Sequence, residues 1–339
     1  MSCKSSVLIT ILFLFSSHHV FAQNIGFQQV TITIDQSRPL PTAIWYPTND
    51  NGPISNIADN AAFEGTKVIR NARIDITSAP VVMLSHGYRG SWRNLNWLAS
   101  KLARTGYIVA APNHPGTTTL DHNPIQAAKW WLRVKDISKV LDYLFSARQW
   151  RSRINHEDIT VIGHSLGGWT ALQLVGAKFD QEVFKQQCVK YPNPRVCGLA
   201  DELGLSEAWQ NTHKSETLDD PRITRVVSLD LGLARSFLPV SLNDVDTPVL
   251  ILAAGVDIGD LPQARESGYL AEHLPLLSRR YKVYENAAHF SFMQLCKPGA
   301  AALLEQETAG DSVVCIDGEN TSRETLHQQI FSDILQFID

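Results

Sequence analysis

The chain has 339 residues, 44% of them hydrophobic and 19% charged, with a formal net charge of −4. That much apolar material in a chain of this size supports a large core and excludes a disordered chain, while 20 glycines and 16 prolines exclude collagen-like and low-complexity sequences. The acidic balance speaks against a nucleic-acid partner, which calls for a basic face. A single large α/β domain fits the length as well as two smaller ones do.

Residues 1–22 carry Lys4 as their only charge, then an apolar run from Val7 to Phe15, then Val20-Phe21-Ala22. This succession is that of a secretory signal peptide, with cleavage expected near Ala22. The run is shorter than the roughly 20 apolar residues a membrane span needs, and His18 and His19 interrupt it, so no stable membrane anchor is expected. Cys3 leaves with the peptide. The mature chain, residues 23–339, is expected in a periplasm or outside the cell. Its four cysteines, Cys188, Cys197, Cys296 and Cys315, form an even set that in an exported chain reads as disulfides. Three connectivities are open; pairing Cys188 with Cys197 and Cys296 with Cys315 closes the smallest loops and is favoured. A zinc site is the alternative, without Cys-x-x-Cys spacing to support it.

Apolar runs of strand length fall at 28–34, 43–46, 80–84, 107–111, 158–162, 224–229, 248–253 and 280–284. Helix-period stretches lie between most of them. Residues 91–104 align Trp92, Leu95, Leu98 and Leu102, and 125–145 repeats Ile137, Val140, Leu141 and Leu144 at spacings of three and four. Such alternation predicts a mostly parallel central sheet flanked by helices on both faces, an α/β class, with the first two strands as an antiparallel edge. Residues 178–220 break the rhythm, crowding Cys188, Pro192, Pro194 and Cys197 without a clear strand. A loop that long is expected to be a lid or cap insertion.

The chemistry centres on Ser165. The apolar strand Ile159-Thr160-Val161-Ile162 runs into Gly163-His164-Ser165-Leu166-Gly167-Gly168, and a helical pattern follows in Trp169, Leu172 and Val175. Strand, Gly-x-Ser-x-Gly, helix is the context in which a serine sits on a tight turn with its hydroxyl raised above the sheet, beside helix amides that favour negative charge. A serine nucleophile needs a base and an oxyanion hole. In this context the base comes last in the chain, after the acid; His289, in the loop after the strand at 280–284, occupies that slot. The acid is open between Asp257, which follows the strand at 248–253 and is favoured, and Asp230, which follows the strand at 224–229. Asp260 is a weaker third candidate. Either main site lets a carboxylate orient the imidazole. The early strand Val81-Val82-Met83-Leu84-Ser85 ends in His86-Gly87-Tyr88-Arg89-Gly90, a loop placed to lend an amide to an oxyanion hole. The expected donors are the backbone amides of Tyr88 and Leu166, with His86 as a hydrogen-bonding support of the loop.

Four segments together resemble the α/β-hydrolase superfamily, and within it the plasma-type platelet-activating-factor acetylhydrolase and predicted dienelactone-hydrolase group. They are Trp45-Tyr46-Pro47-Thr48, Ser85 to Gly90, Gly163 to Gly168, and His289-Phe290-Ser291-Phe292 with Cys296 behind it; Asn113-His114-Pro115-Gly116 resembles a further loop of the group. The resemblance spans nearly the whole mature chain. It implies an α/β-hydrolase fold and an esterase using Ser165, an aspartate and His289. In two respects the chain departs from or qualifies the pattern. Dienelactone hydrolases proper carry a cysteine where Ser165 stands, and in the acetylhydrolases the acid follows the strand before Asp230.

The expectation is therefore an exported serine carboxylic-ester hydrolase working through an acyl-enzyme on a small-molecule or lipid-like ester, with no cofactor or metal. Tyr88, Trp92 and Trp169 are expected to line an apolar acyl pocket. The rivals are a lipase or polyester hydrolase on insoluble substrates, and a non-catalytic binding protein on a hydrolase scaffold.

Overall fold

Ten strands whose apolar residues alternate between two faces form one sheet in the order β10-β9-β8-β7-β5-β6-β2-β1-β4-β3. The computed structural model describes residues 24–33, 38–204, 218–257 and 261–339; the expected signal peptide and Asp260 lie outside them. The strands are β1 (Asn24–Ile32), β2 (Leu40–Thr48), β3 (Ile54–Ile57), β4 (Thr66–Arg70), β5 (Ala79–Ser85), β6 (Ile108–Pro112), β7 (Ile154–His164), β8 (Arg225–Leu229), β9 (Val249–Val256) and β10 (Arg279–Ala288). From β6 through β5, β7, β8 and β9 to β10 every neighbour is parallel. β1 and β2 join this block antiparallel, as the sequence predicts. β3 and β4, four and five residues long, extend that edge and were not foreseen, being too short and too exposed to carry a pattern.

The helices are α1 (Asn96–Arg104), α2 (Pro124–Ala127), α3 (Trp131–Ser146), α4 (Leu166–Gln173), α5 (Gln181–Lys190), α6 (Pro194–Glu202), α7 (Pro239–Asn243), α8 (Ser267–His273), α9 (Ala300–Glu307) and α10 (Arg323–Ile338). α1 and α10 bury Leu98, Leu102, Ile330 and Ile334 on one face of the sheet, against Val82, Leu84, Leu250 and Leu252. α3, α4 and α8 bury Ile137, Leu141, Leu172 and Leu270 on the other, against Val81, Met83, Val161 and Ile251. The chain leaving β5 therefore turns to one face and the chain leaving its neighbour β7 to the other. The carboxyl ends of these two strands open the crevice where doubly wound sheets bind ligands.

The helix expected over 125–145 is divided. The Asn123 side chain caps α2 by accepting from the Ile125 and Gln126 amides, and the turn that follows brings Trp130 against Trp169 and Phe179. The helix expected from Ser91 begins at Asn96, because Asn94 Oδ1 and Asn113 Oδ1 take the Ser91 and Trp92 amides into a turn. Within 178–204 the chain forms the hairpin α5–α6, joined by a Cys188–Cys197 disulfide with Cα atoms 5.9 Å apart. Cys296 and Cys315 form the second disulfide, with Cα atoms 5.8 Å apart, so both pairs are the short-range ones. No helix among the described residues is long and apolar enough to cross a membrane.

Ile334, fully buried on α10, tests the core between α10 and the sheet. Truncation to alanine should lower the unfolding free energy by about 2–5 kcal/mol. Urea denaturation measures it; an unchanged midpoint would show that α10 contributes little to the core.

Candidate active site

Ser165 joins β7 to α4 with φ 55° and ψ −123°. A non-glycine residue in this region is strained, and the surrounding glycines show what holds it. A Cβ on Gly163 would run into the Gly167 backbone, and one on Gly167 into the Ser85 carbonyl at the end of β5. One on Gly168 would meet Ser228 of β8 and Leu231 just beyond it. The turn is thus wedged between two strands by atoms that leave no room for side chains. The Ser165 amide donates to the Leu229 carbonyl at 3.0 Å, which ties the turn to β8. The serine itself is partly exposed at the crevice, and its hydroxyl makes no hydrogen bond among the described residues.

His289 opens a short 3-10 turn directly after β10 and is buried. Its Nδ1 donates to Asp230 Oδ2 at 2.7 Å, and its Nε2 makes no hydrogen bond among the described residues. Asp230 also sits at positive φ, 42°. Its amide donates to the Leu252 carbonyl at 2.7 Å, and its Oδ1 accepts from the Ala254 amide at 2.9 Å. Asp257, favoured from the sequence, is not the partner of His289. It is exposed, and its Oδ1 accepts from the Leu261 amide at 2.8 Å. The correction has a simple cause: β9 runs on to Val256 and carries Asp257 past the histidine, whereas Asp230 is turned inward one residue after β8 ends.

His164, beside the serine, stands out only in the structure. Its Nε2 donates to the His289 carbonyl at 2.9 Å and the two rings lie 4.7 Å apart, so the residue before Ser165 seats the histidine loop. The C-terminal elements hold that loop from behind. Ser291 Oγ accepts from the Ala288 amide and donates to Asp317, which is paired with Arg323. His327 Nε2 donates to the Met293 carbonyl at 2.8 Å, and its ring stacks on Trp97, whose Nε1 donates to the Phe292 carbonyl at 2.9 Å.

The loop after β5 approaches the serine closely enough that a Cβ on Gly87 would lie 3.1 Å from the Ser165 Cβ. The amides of Tyr88 and Leu166 donate to no acceptor among the described residues, leaving both for a ligand oxygen. His86 is a support, as expected: its Nδ1 donates to the Gly87 carbonyl at 2.7 Å and its Nε2 accepts from the His114 amide at 3.0 Å. Because the peptide is planar and trans, pinning the Gly87 oxygen aims the Tyr88 N–H the opposite way. Trp92 and Trp169, expected to line a pocket, are buried, at 5% and 0% exposure. Trp92 packs with Phe27 and Trp45, and Trp169 with Trp130, Phe179 and Phe237, its Nε1 donating to Ser236 Oγ. Both indoles are core, where their size fills the two layers beside the sheet. Tyr88 alone of the three stays half-buried beside the crevice.

The arrangement unites a strained, accessible serine, an imidazole oriented by a carboxylate, and two unpaired amides, which is the equipment of acyl transfer. A family model, Hydrolase_4 (serine aminopeptidase, S33), matches residues 77–187. A cutinase of Thermobifida alba, est1, is 30% identical over 101 residues, 29% of this chain and 31% of that protein. Cutinase 2 of Thermobifida cellulosilytica is 31% identical over 101 residues, 29% of this chain and 35% of that protein. The chain thus spans about a third of the length of the curated relatives it matches. A solved structure of the ferulic acid esterase from Streptomyces cinnamoneus superposes with a TM-score of 0.63 at 19% identity, covering 95% of this chain and 91% of that one. The likeness is one of fold, and the fold is that of the α/β-hydrolases.

Burial keeps four histidines around the site neutral. It pushes His164 and His327 down to about 3, and His86 and His114 well below the ordinary value, with nearby cations adding to the effect. In the unfolded chain each gains a proton near pH 6.5. Between there and about pH 3 the unfolded state then binds more protons, so stability falls as pH drops. Glu266, raised to about 7 by burial, and Asp136, also raised by burial, act in the opposite sense but are fewer. The urea midpoint is expected to be lower at pH 5 than at pH 7; a higher midpoint at pH 5 would contradict neutral burial of these rings.

Proposed function

We propose that this protein is an exported serine-dependent carboxylic-ester hydrolase. The reading is carried by the Asp230–His289 pair, whose loop is tied to His164 beside Ser165 on its strained turn, together with the Tyr88 and Leu166 amides that donate to no acceptor among the described residues. Ser165 Oγ attacks the ester carbonyl while His289 Nε2 takes its proton. Asp230 holds the ring in the tautomer that makes this possible and stabilises the imidazolium. The Tyr88 and Leu166 amides receive the oxyanion of the tetrahedral intermediate. His289 returns the proton to the leaving alcohol, and water activated by the same ring releases the acyl group from Ser165. Every step uses groups of this chain.

The family match and the cutinase relatives support ester hydrolysis. The sequence resemblance to the acetylhydrolase group supports a small or lipid-like acyl ester, and the position of Asp230 after β8 agrees with that group's pattern. Export rests on residues 1–22, with the two disulfides in agreement. The hairpin α5–α6 serves as the cap over the site: Glu202 at its end reaches Arg89, beside Tyr88, at 3.3 Å. A second reading, hydrolysis of insoluble polyester or lipid, is favoured by Leu120 and Ile125. These are 92% and 69% exposed, Leu120 on the loop before α2 and Ile125 on α2 itself, and that loop contacts the oxyanion segment through Thr119 Oγ1 donating to the Arg89 carbonyl.

The mature protein should hydrolyse a p-nitrophenyl ester series, and Ser165→Ala should abolish turnover. Asp230→Asn should cost about 10³–10⁴ in kcat, against less than about twofold for Asp257→Asn, an exposed group bonded to the Leu261 amide and not to His289. Equal rates for Ser165→Ala and the parent would sink the mechanism. For the second reading, Leu120→Ser with Ile125→Ser should slow attack on a polyester film and spare dissolved acetate esters. Equal losses on both substrates would remove that reading.

A further inference from the structure

Arg133 takes no part in the steps above, yet it is only 2% exposed. It projects from α3 on the same stripe as Ile137 and Leu141, into the layer beneath the crevice. The nearby carboxylate does not pair with it directly. Asp136 is occupied by Arg38, through two bonds of 2.8 Å, and by His114 Nδ1 at 3.0 Å. Arg133 donates instead to neutral oxygens: from Nε to Thr170 Oγ1 at 3.1 Å, from Nη1 to Thr117 Oγ1 at 2.5 Å, and from Nη2 to the His86 carbonyl at 2.5 Å and Ser85 Oγ at 3.4 Å.

Two of these contacts lead to the two unpaired amides. The His86 carbonyl lies one peptide before the Gly87–Tyr88 unit, and the His86 ring holds that unit by its carbonyl. Thr170 Oγ1, while accepting from Arg133, donates to the Leu166 carbonyl at 2.9 Å. One planar guanidinium thus spans the end of β5 and the first turn of α4, the two segments that carry the amides. A lysine, with a compact point charge, has no fork that could reach both.

We propose that Arg133 is a positioning residue that cross-braces the Tyr88 and Leu166 segments and sets the spacing and aim of the two oxyanion donors; the proposal rests on the ester-hydrolase reading. Such donors act only when they meet the developing oxyanion at hydrogen-bond distance, so a small shift between the segments lowers turnover without disturbing substrate binding. Thr170 is the second member of the brace.

The test uses Arg133→Lys and Thr170→Val in the full mature chain, with p-nitrophenyl acetate kinetics and hydrogen–deuterium exchange over residues 85–90 and 165–171. Arg133→Lys should lower kcat by about 10–100-fold with KM within about twofold. Thr170→Val, which removes one hydroxyl at nearly constant volume, should do the same to a smaller degree. Both should speed exchange in the two segments and leave the rest of the chain unchanged. Normal kcat and normal exchange in both folded variants overturn the proposal, as does a loss that follows a general rise in exchange across the chain. If Arg133→Lys does not fold, Thr170→Val decides alone. If the parent turns over no ester, the hydrolase reading fails, while exchange still decides whether the brace exists.

Discussion

Ser165 holds a positive-φ backbone conformation that costs an ordinary residue about 1–3 kcal/mol, and much of the surrounding structure serves to keep it there. Gly163, Gly167 and Gly168 let β5, β7, β8 and α4 approach within distances no side chain would allow. The Leu229 carbonyl fixes the serine amide from the side. Close packing of backbone on backbone is what a single residue cannot relax without moving a strand. The strain is therefore stored where it raises the hydroxyl above the sheet edge, and the neighbouring parts are arranged around that fixed point.

Those parts are held by two different kinds of support. The histidine side is held by hydrogen bonds to backbone carbonyls and by an ion pair: His164 from the front, and Ser291, Asp317, Arg323 and His327 from behind. The amide side is held by a buried polar network of Arg38, Asp136, His114, Ser85, His86 and Arg133, in which each imidazole has one donor and one acceptor satisfied. Burying that many polar groups is costly unless every one is paired. The network places the cost under the loop that must not move.

The parts legible in the sequence are those fixed by local geometry. Gly-x-Ser-x-Gly between a strand and a helix has few alternatives, and His289 follows from chain order. The even, closely spaced cysteines gave the right pairs. The choice between Asp230 and Asp257 was not legible, because both follow a strand and only the length of β9 and the inward turn after β8 separate them. The split of α2 from α3 depends on an Asn123 cap and on where Trp130 packs, both tertiary matters. Arg133 and Asp136 did leave a trace: two charged residues on the apolar stripe of α3, where a solvated helix carries none.

The two sides of the site are tied to separate parts of the chain. The serine turn is fixed by contacts to β5 and β8, whereas the His289 loop leans on Asp317, Arg323 and His327, beyond the Cys296–Cys315 disulfide. A change in the C-terminal elements therefore reaches the His289 loop through its supports while leaving the contacts of the serine turn in place.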